Sequence, residues 1–288
     1  MELRVLKYFL MAAREENITK AANLLHITQP TLSRQLMQLE EELGVKLFHR
    51  GKYHIVLTDE GMLLRRRAQE ILELAEKTKQ EFSKDEMELT GEIAIGCGET
   101  RNMTFLSKKM AEFRKLHPLV HYSIYSATAD DIKERMEKGI LDLALLMEPV
   151  DIGKYEFVRM PQKEEWGVLV RSDSPLAAQP SVSPQDLIGQ PILNARREMV
   201  QNEVANWFGD SYDKIEIAGT YNLILNAANM VRNGVGVAMC FRMDNCYKNL
   251  SFVPLEPKLE TGAVVVWKKN QVFSKTSSHF IQFMKHSF

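Results

Sequence analysis

Residues 17–44 read NITKAANLLHITQPTLSRQLMQLEEELG and hold two short helical patterns joined by a tight polar turn. Ala21, Ala22, Leu24 and Leu25 give the first pattern its apolar side, and Leu32, Leu36, Leu39 and Leu43 recur at +4, +3 and +4 along the second. Each helix therefore has one stripe to bury. On the second, Thr31, Arg34, Gln35 and Gln38 fall at i, i+3, i+4 and i+7 and are expected to face away from the leucines, with Gln29 and Ser33 beside them. Arginine pairs bidentately with guanine and glutamine with adenine, each pair worth about 1–3 kcal/mol of discrimination. Thr28 as N-cap, with Pro30 in the first turn, sets where the helix begins. This is a helix-turn-helix pattern, and it points to double-stranded DNA as partner. The competing reading is an amphipathic helix pair whose polar face is merely solvated, and the flanking residues count against it.

After Gly44 the chain runs VKLFHRGKYHIVLTDEG: an apolar bend, a basic turn and a short alternation ending at Leu57. This reads as a β-wing, with Arg50 and Lys52 at a positive tip placed to touch phosphate or the minor groove. Taken together, ITQPTLSRQLMQLEEELGVKLFHR and LTDEG closely resemble the N-terminal domain of bacterial LysR-type transcriptional regulators. The chain departs from that family at Glu60, where a small residue is usual, and in its less basic wing. The departures bear on fine DNA contacts and not on the fold.

The resemblance implies an α/β protein overall. A mainly α, winged helix-turn-helix DNA-binding domain over residues 1–60 would be followed by a linker and dimerisation helix over 61–89. An effector-binding domain over 90–288 would resemble type 2 periplasmic binding proteins, with lobe I at about 90–160 and 265–288 and lobe II at about 161–264. It further implies a small-molecule effector held between the lobes and association as dimers or as tetramers of two compact and two extended subunits. RNA polymerase becomes a further partner.

Size and charge agree with this organisation. The 288 residues, 45% of them hydrophobic, hold enough material for two or three domains of about 100–200 residues each. No run of about 18 apolar residues is present to span a bilayer, and MELRVLKYFLMAAREEN lacks the layout of a signal peptide, so a cytoplasmic protein is expected. Residues 1–67 hold 11 Lys and Arg against 8 Asp and Glu, a net of +3, leaving −4 for the remainder of a chain with net charge −1. So modest an excess binds phosphate weakly in one copy, which calls for pairing. Leu64, Ala68, Ile71, Ala75, Thr78 and Phe82 alternate by four and three and form a candidate heptad seam. It is short for an autonomous coiled coil, and a helix packed on its own domain is the alternative; the family's dimerising linker helix favours pairing. Arg65, Arg66 and Arg67 read as a solvated face or a phosphate contact, and Glu40–Glu42 as solvent-facing or locally paired.

A boundary is expected between Ser83 and Gly91, after which strands and helices alternate. EIAIGC, HYSIYSA and LDLALLM read as strands with helices between them, a βαβαβ order that implies a parallel sheet covered on both faces. WGVLV, PILNA, KIEIAG, GVGVAMC and LSFVPL suggest a second lobe, followed by GAVVVW and a helical tail. In such sheets ligands bind beyond the carboxyl ends of strands, where helix N-termini offer free N–H groups. That rule selects Gly98, Thr100, Arg101, Asn102, Thr128, Asn194, Arg196 and Tyr221 as candidate effector residues. Thr100 and Thr128 also match positions where similar regulators place hydroxyl groups on the effector. Arg101, Arg196 and Arg197 suggest an organic anion, whereas Glu99 at the same mouth would oppose an anion and attract an amine.

Enzymatic readings rank below this one. Cys97, Cys240 and Cys246 show no CxxC spacing, and the seven histidines form no metal motif or acid–base pair. The glycines of IGCGET and NGVGVAM match neither GxGxxG nor a phosphate loop. No catalytic residue, metal site or cofactor is expected. Cys97, beside a helix start, is a candidate redox sensor if its thiol pKa is lowered. A solute-binding protein or small-molecule enzyme would explain residues 91–288 and leave the N-terminal motif idle. An architectural DNA-binding protein would leave the two lobes idle.

Overall fold

The computed structural model describes residues 1–51, 54–81, 88–243 and 247–287, and the chain divides into two compact units, Met1–Ser83 and Lys84–Phe288. The expectations for Lys52, Phe82 and Cys246, and for the side chain of Arg50, lie outside the described residues.

The first unit is built from α1 (Leu3–Glu15), α2 (Ile18–Leu24), α3 (Gln29–Leu43), β1 (Phe48–Arg50), β2 (Ile55–Leu57) and α4 (Asp59–Glu81). Asn17 caps α2 by accepting the Lys20 N–H at 2.9 Å, and Thr28 caps α3. Gly44 ends α3 at φ 68°, a left-handed turn that costs glycine nothing. Leu6, Phe9 and Ala12 of α1 meet Ala21, Ala22, Leu32, Leu36 and Leu39 in one core, with Phe48 of β1 placing its ring 5.4 Å from that of Phe9. Two leucines of the expected stripes stay exposed. At about 100° per residue, Leu24 lies about 105° around α2 from the middle of the side that Ala21, Ala22 and Leu25 share, and is exposed. Leu43 is on the right side of α3 but in its last turn, past the end of the core.

Gly61 of the LTDEG motif packs so closely that a Cβ there would stand 2.1 Å from the Leu47 carbonyl oxygen. Thr58 ties the same corner by donating to the Lys46 carbonyl at 2.7 Å and accepting the Gly61 N–H at 2.9 Å. Glu60 beside it is exposed, so the departure from the family pattern is absorbed by solvent. Further along α4, Leu64, Ala68 and Leu72 pack on this unit's own core. The expected seam is therefore divided: Leu64 and Ala68 are spent within the chain, while Met62, Leu63, Ile71 and Leu74 are the exposed apolar residues of this helix.

The second unit contains two sheets. The first is formed by β3 (Gly91–Cys97), β4 (Val120–Ser126), β5 (Leu143–Met147), β6 (Tyr155–Arg159) and, from the far end of the chain, β13 (Ala263–Lys268), in the order β4-β3-β5-β13-β6. It is covered by α5 (Asn102–Leu116) and α9 (Lys275–Lys285) on one face, through Leu106, Phe113 and Phe280, and by α6 (Ala129–Glu137) on the other, through Ile132 and Met136. The second is formed by β7 (Glu164–Arg171), β8 (Pro191–Ala195), β9 (Glu216–Tyr221), β10 (Val237–Phe241) and β11 (Leu250–Pro254), in the order β11-β7-β10-β8-β9. Its faces carry α7 (Glu198–Phe208) and α8 (Ile224–Arg232).

The parallel pairing expected of EIAIGC, HYSIYSA and LDLALLM is present, but each sheet as a whole is mixed. The three strands joined by crossover helices are parallel in each, whereas β13 runs antiparallel to β5 and β7 antiparallel to β10. These two strands enter directly from the other lobe without a crossover helix, and parallel pairing needs one. The lobe crossings themselves pair, since β12 (Glu260–Thr261) lies antiparallel to the start of β7 with Thr261 opposite Glu164. Trp166 fastens them by donating its ring N–H to Thr261 at 2.8 Å.

Candidate functional site

In the first unit, α3 presents the expected residues at graded depth. Thr28, Gln29, Arg34 and Gln38 are exposed, whereas Thr31, Ser33 and Gln35 are half-buried. At about 100° per residue, Gln35 lies about 40° around α3 from Leu39, at the edge of the leucine stripe, which accounts for its partial burial. The Thr31 hydroxyl sits 2.8 Å from that of Thr28, inside the cap, and the Thr31 N–H meets the same cap oxygen at 3.4 Å. Sequence reasoning missed the role of Glu40. It is buried on the leucine stripe, not solvent-facing. The alternative of a local basic partner holds, with Lys46 at 3.2 Å; what was missed is that Oε1 of Glu40 accepts the N–H groups of Leu47 and Phe48 at 2.9 and 3.3 Å, holding the first strand of the wing against α3. The signal was present: Glu40 follows Leu36 by four residues, and a charge on an apolar stripe needs a partner.

In the second unit, a cavity of about 130 Å³ lies between the lobes. Gly98, Thr128, Arg196 and Tyr221 line it, and Thr100, Arg101, Asn102 and Asn194 do not. Thr100 and Asn102 are buried at the start of α5 and turn to the lobe crossing instead. Both the Thr100 hydroxyl and the Asn102 side-chain amide donate to Oε1 of Glu164, a fully buried carboxylate at the first residue of β7, and the Asn102 N–H reaches it at 3.0 Å. The rule that places ligands at helix starts cannot reveal a carboxylate more than sixty residues away. Asn194 is buried and accepts the N–H of Ala195 at 2.8 Å. The Thr128 hydroxyl caps α6 and donates to Asp131 at 2.6 Å.

Among the described residues, two contacts join the lobes across the cavity. Glu99, on the lobe of β3, accepts the backbone N–H of Ile224, the first residue of α8 on the other lobe. Arg197, N-cap of α7, stands 3.5 Å from Asp130 in the first turn of α6. Of the three arginines that suggested an anion, Arg101 lies off the cavity, Arg196 is exposed at the rim, and Arg197 lines it beside Asp130 with its buried Nε making no hydrogen bond among the described residues. Burial holds the Tyr221 hydroxyl well above the ordinary tyrosine pKa, and the hydroxyl donates to the Met239 carbonyl. Burial likewise pushes Cys240 up to about 12. Cys97 moves the same way: desolvation raises its thiol, Ser126 opposes this, and the charge of Glu99 adds to the rise. The redox reading needed a lowered thiol pKa, and the structure gives the opposite direction.

A capped helix-turn-helix with a two-stranded wing in one unit, and a ligand-sized cavity between two α/β lobes in the other, define a ligand-responsive DNA-binding regulator. Residues 3–62 match the model of bacterial regulatory helix-turn-helix proteins of the lysR family, and residues 87–288 match the LysR substrate binding domain. The chain belongs to the LysR family of transcriptional regulators. The Hca operon transcriptional activator HcaR of Escherichia coli (strain K12) is 28% identical over 94% of this chain and 93% of its own. The regulator IlvY of the same organism is 30% identical over 83% of this chain and 81% of its own. Among solved structures, that of CbnR, a LysR family transcriptional regulator, superposes with a TM-score of 0.80 over 100% of this chain and 99% of that one. At 20% identity, that likeness speaks for the fold.

Proposed function

We propose that the chain reads duplex DNA through α3 and the β1–β2 wing and responds to a small molecule held in the inter-lobe cavity. The observation that carries the DNA reading is α3 itself, buried through Leu32, Leu36 and Leu39 while Arg34 and Gln38 stand in solvent beyond the Thr28 cap. In this reading Arg34 and Gln38 contact bases. Thr28, Gln29, Thr31, Ser33 and Gln35 seat the helix on the backbone, and Arg50 and Lys52 touch phosphate from the wing. Residues 1–60 form the DNA-binding domain, 61–89 the linker helix and 90–288 the effector domain.

Gly98, Thr128, Arg196 and Tyr221 surround the effector, and Thr100, Asn102 and Glu164 position the lobe crossing behind it. A ligand that favours one lobe spacing shifts the equilibrium toward it and so alters how the DNA-binding domains are presented. The apolar residues exposed on α4 support self-association. The relative HcaR is named an operon activator; a like role here would make RNA polymerase a partner. The reading assigns the protein no catalysis of its own and places it in the cytoplasm with the chromosome.

Selection of bound duplexes from a random library by the full chain, followed by anisotropy titration, tests the DNA reading. Arg34→Ala should weaken the selected site by roughly 5- to 150-fold and non-specific DNA far less, the loss of one bidentate base contact. Equal losses would reduce Arg34 to a phosphate contact, and failure to enrich any sequence would remove the reading.

A further inference from the structure

We propose that the ligand of the inter-lobe cavity carries an ammonium group on a short apolar body, and that Glu99 receives that ammonium. This rests on the cavity being the effector site. Among the described residues, four charged side chains line the cavity, and two of them, Glu148 and Arg196, are satisfied by a partner or by solvent. Glu148 is paired with Arg159 at 2.7 Å, Arg196 is solvated at the rim, and Arg197 stands 3.5 Å from the exposed Asp130 with its buried Nε making no hydrogen bond among the described residues. Glu99 is different. It is half-buried, and among the described residues no lysine, arginine or histidine pairs with it.

Among the described residues, Glu99 has one hydrogen-bond partner, the Ile224 N–H at the start of α8, a helix whose N-cap, Leu223, offers no side-chain acceptor. A helix terminus supplies about half a positive charge, so a substantial part of the carboxylate's charge is left without a counter-ion. A carboxylate accepts about four hydrogen bonds, and this one has acceptor capacity to spare. Its charge is felt inside the site, where it adds to the upward pressure on both Cys97 and Tyr221.

Much of the rest of the cavity lining is apolar, with Ile132, Met147, Trp166, Ile224 and Phe241 among it. An unpaired charge beside such a surface is costly, and a ligand cation removes the cost. A ligand carboxylate would meet the reverse situation: the α8 terminus that would attract it already holds a carboxylate of the chain. At about 130 Å³, the cavity compares with one that takes a molecule the size of benzene, which limits the apolar body to a few carbons. The ammonium could belong to a simple amine or to an amino acid whose carboxylate reaches Arg196.

Calorimetric titration of the full chain with isobutylamine, valine and isovalerate, which share one branched body, separates these cases. At least one of the two ammonium compounds should bind about tenfold or more tightly than isovalerate, the scale of one charge-assisted hydrogen bond. Binding by valine alone identifies an amino acid; equal binding by isobutylamine shows that the amine suffices. Glu99→Gln, which keeps the side chain's shape, should erase the preference, with thermal melting confirming that the variant is folded. Preference of the wild type for isovalerate, binding of neither ammonium compound, or an unchanged preference in Glu99→Gln overturns the proposal. Ala129→Leu, which narrows the cavity, separates the two readings. If it blocks isovalerate while ammonium compounds fail to bind, the effector site stands without the ammonium. If it leaves binding of every probe intact, the cavity itself is the wrong site.

Discussion

Glu40 shows how one residue links the reading helix to the wing. Its carboxylate accepts two backbone N–H groups that would otherwise be buried without partners, and Lys46 stands 3.2 Å away but is largely exposed. An exposed partner contributes about 0–1 kcal/mol, whereas each orphaned buried N–H costs about 1–3 kcal/mol. Glu40→Ala should therefore destabilise the first unit by about 2–4 kcal/mol in calorimetric unfolding, with Lys46→Ala changing it by less than about 1 kcal/mol. If both variants lose the same amount, the ion pair carries the stability and the amides do not. Cys97 is a residue of the opposite kind, a thiol with little chemistry left to it. It is 4% exposed and its pKa is raised by burial, so the thiolate is scarce. Peroxide treatment should leave Cys97 unmodified by mass spectrometry; oxidation at that position would restore the sensor reading.

Among the elements, α6 is joined to its sheet by a small polar group with a defined pH response. Glu137, at the end of α6, accepts the Tyr155 hydroxyl of β6 at 2.8 Å and lies 3.0 Å from the Lys268 ammonium of β13. Lys268 and then Tyr155 hold its carboxyl below the usual value of 4.5. A depressed folded-state pKa gives stability that is present above the unfolded value and fades as pH falls through the folded one. Glu137→Gln should thus melt lower than the wild type at neutral pH, with the gap closing below about pH 4.5. A gap independent of pH would assign the effect to packing. Elements of this kind were readable in the sequence where pattern and length agreed, as in α3, β3, β5 and β13. The strand β6 was not, because YEFVR mixes charges into an edge strand, and β12 is two residues long. The candidate site was legible to the same degree. Strand ends gave Gly98, Thr128, Arg196 and Tyr221, but the turn of Thr100 and Asn102 toward Glu164 depends on where the chain recrosses between lobes, which no local pattern encodes.

For the whole molecule, the decisive quantity is how many copies grip the DNA. Residues 1–67 carry a net charge of only +3, and affinity from phosphate contacts scales with the number of cations that displace counter-ions. A second copy doubles that number, and α4 offers a surface to recruit it. The side of α4 made by Leu64, Ala68 and Leu72 is occupied by its own unit, so pairing must use the exposed residues, among which Leu63 and Leu74 fall eleven positions, or about three turns, apart on one face. A double variant, Leu63→Glu with Leu74→Glu, leaves the unit's core untouched and places like charges where two helices would meet. Analytical ultracentrifugation of the full chain should show a lower mass for this variant. Its DNA affinity should fall, and the slope of log K against log salt concentration should drop to about half, because half the phosphate contacts are lost. An unchanged mass would exclude this face as the pairing surface. A lower mass with an unchanged salt slope would mean that a single copy already makes every phosphate contact, and the argument from weak local charge would fail.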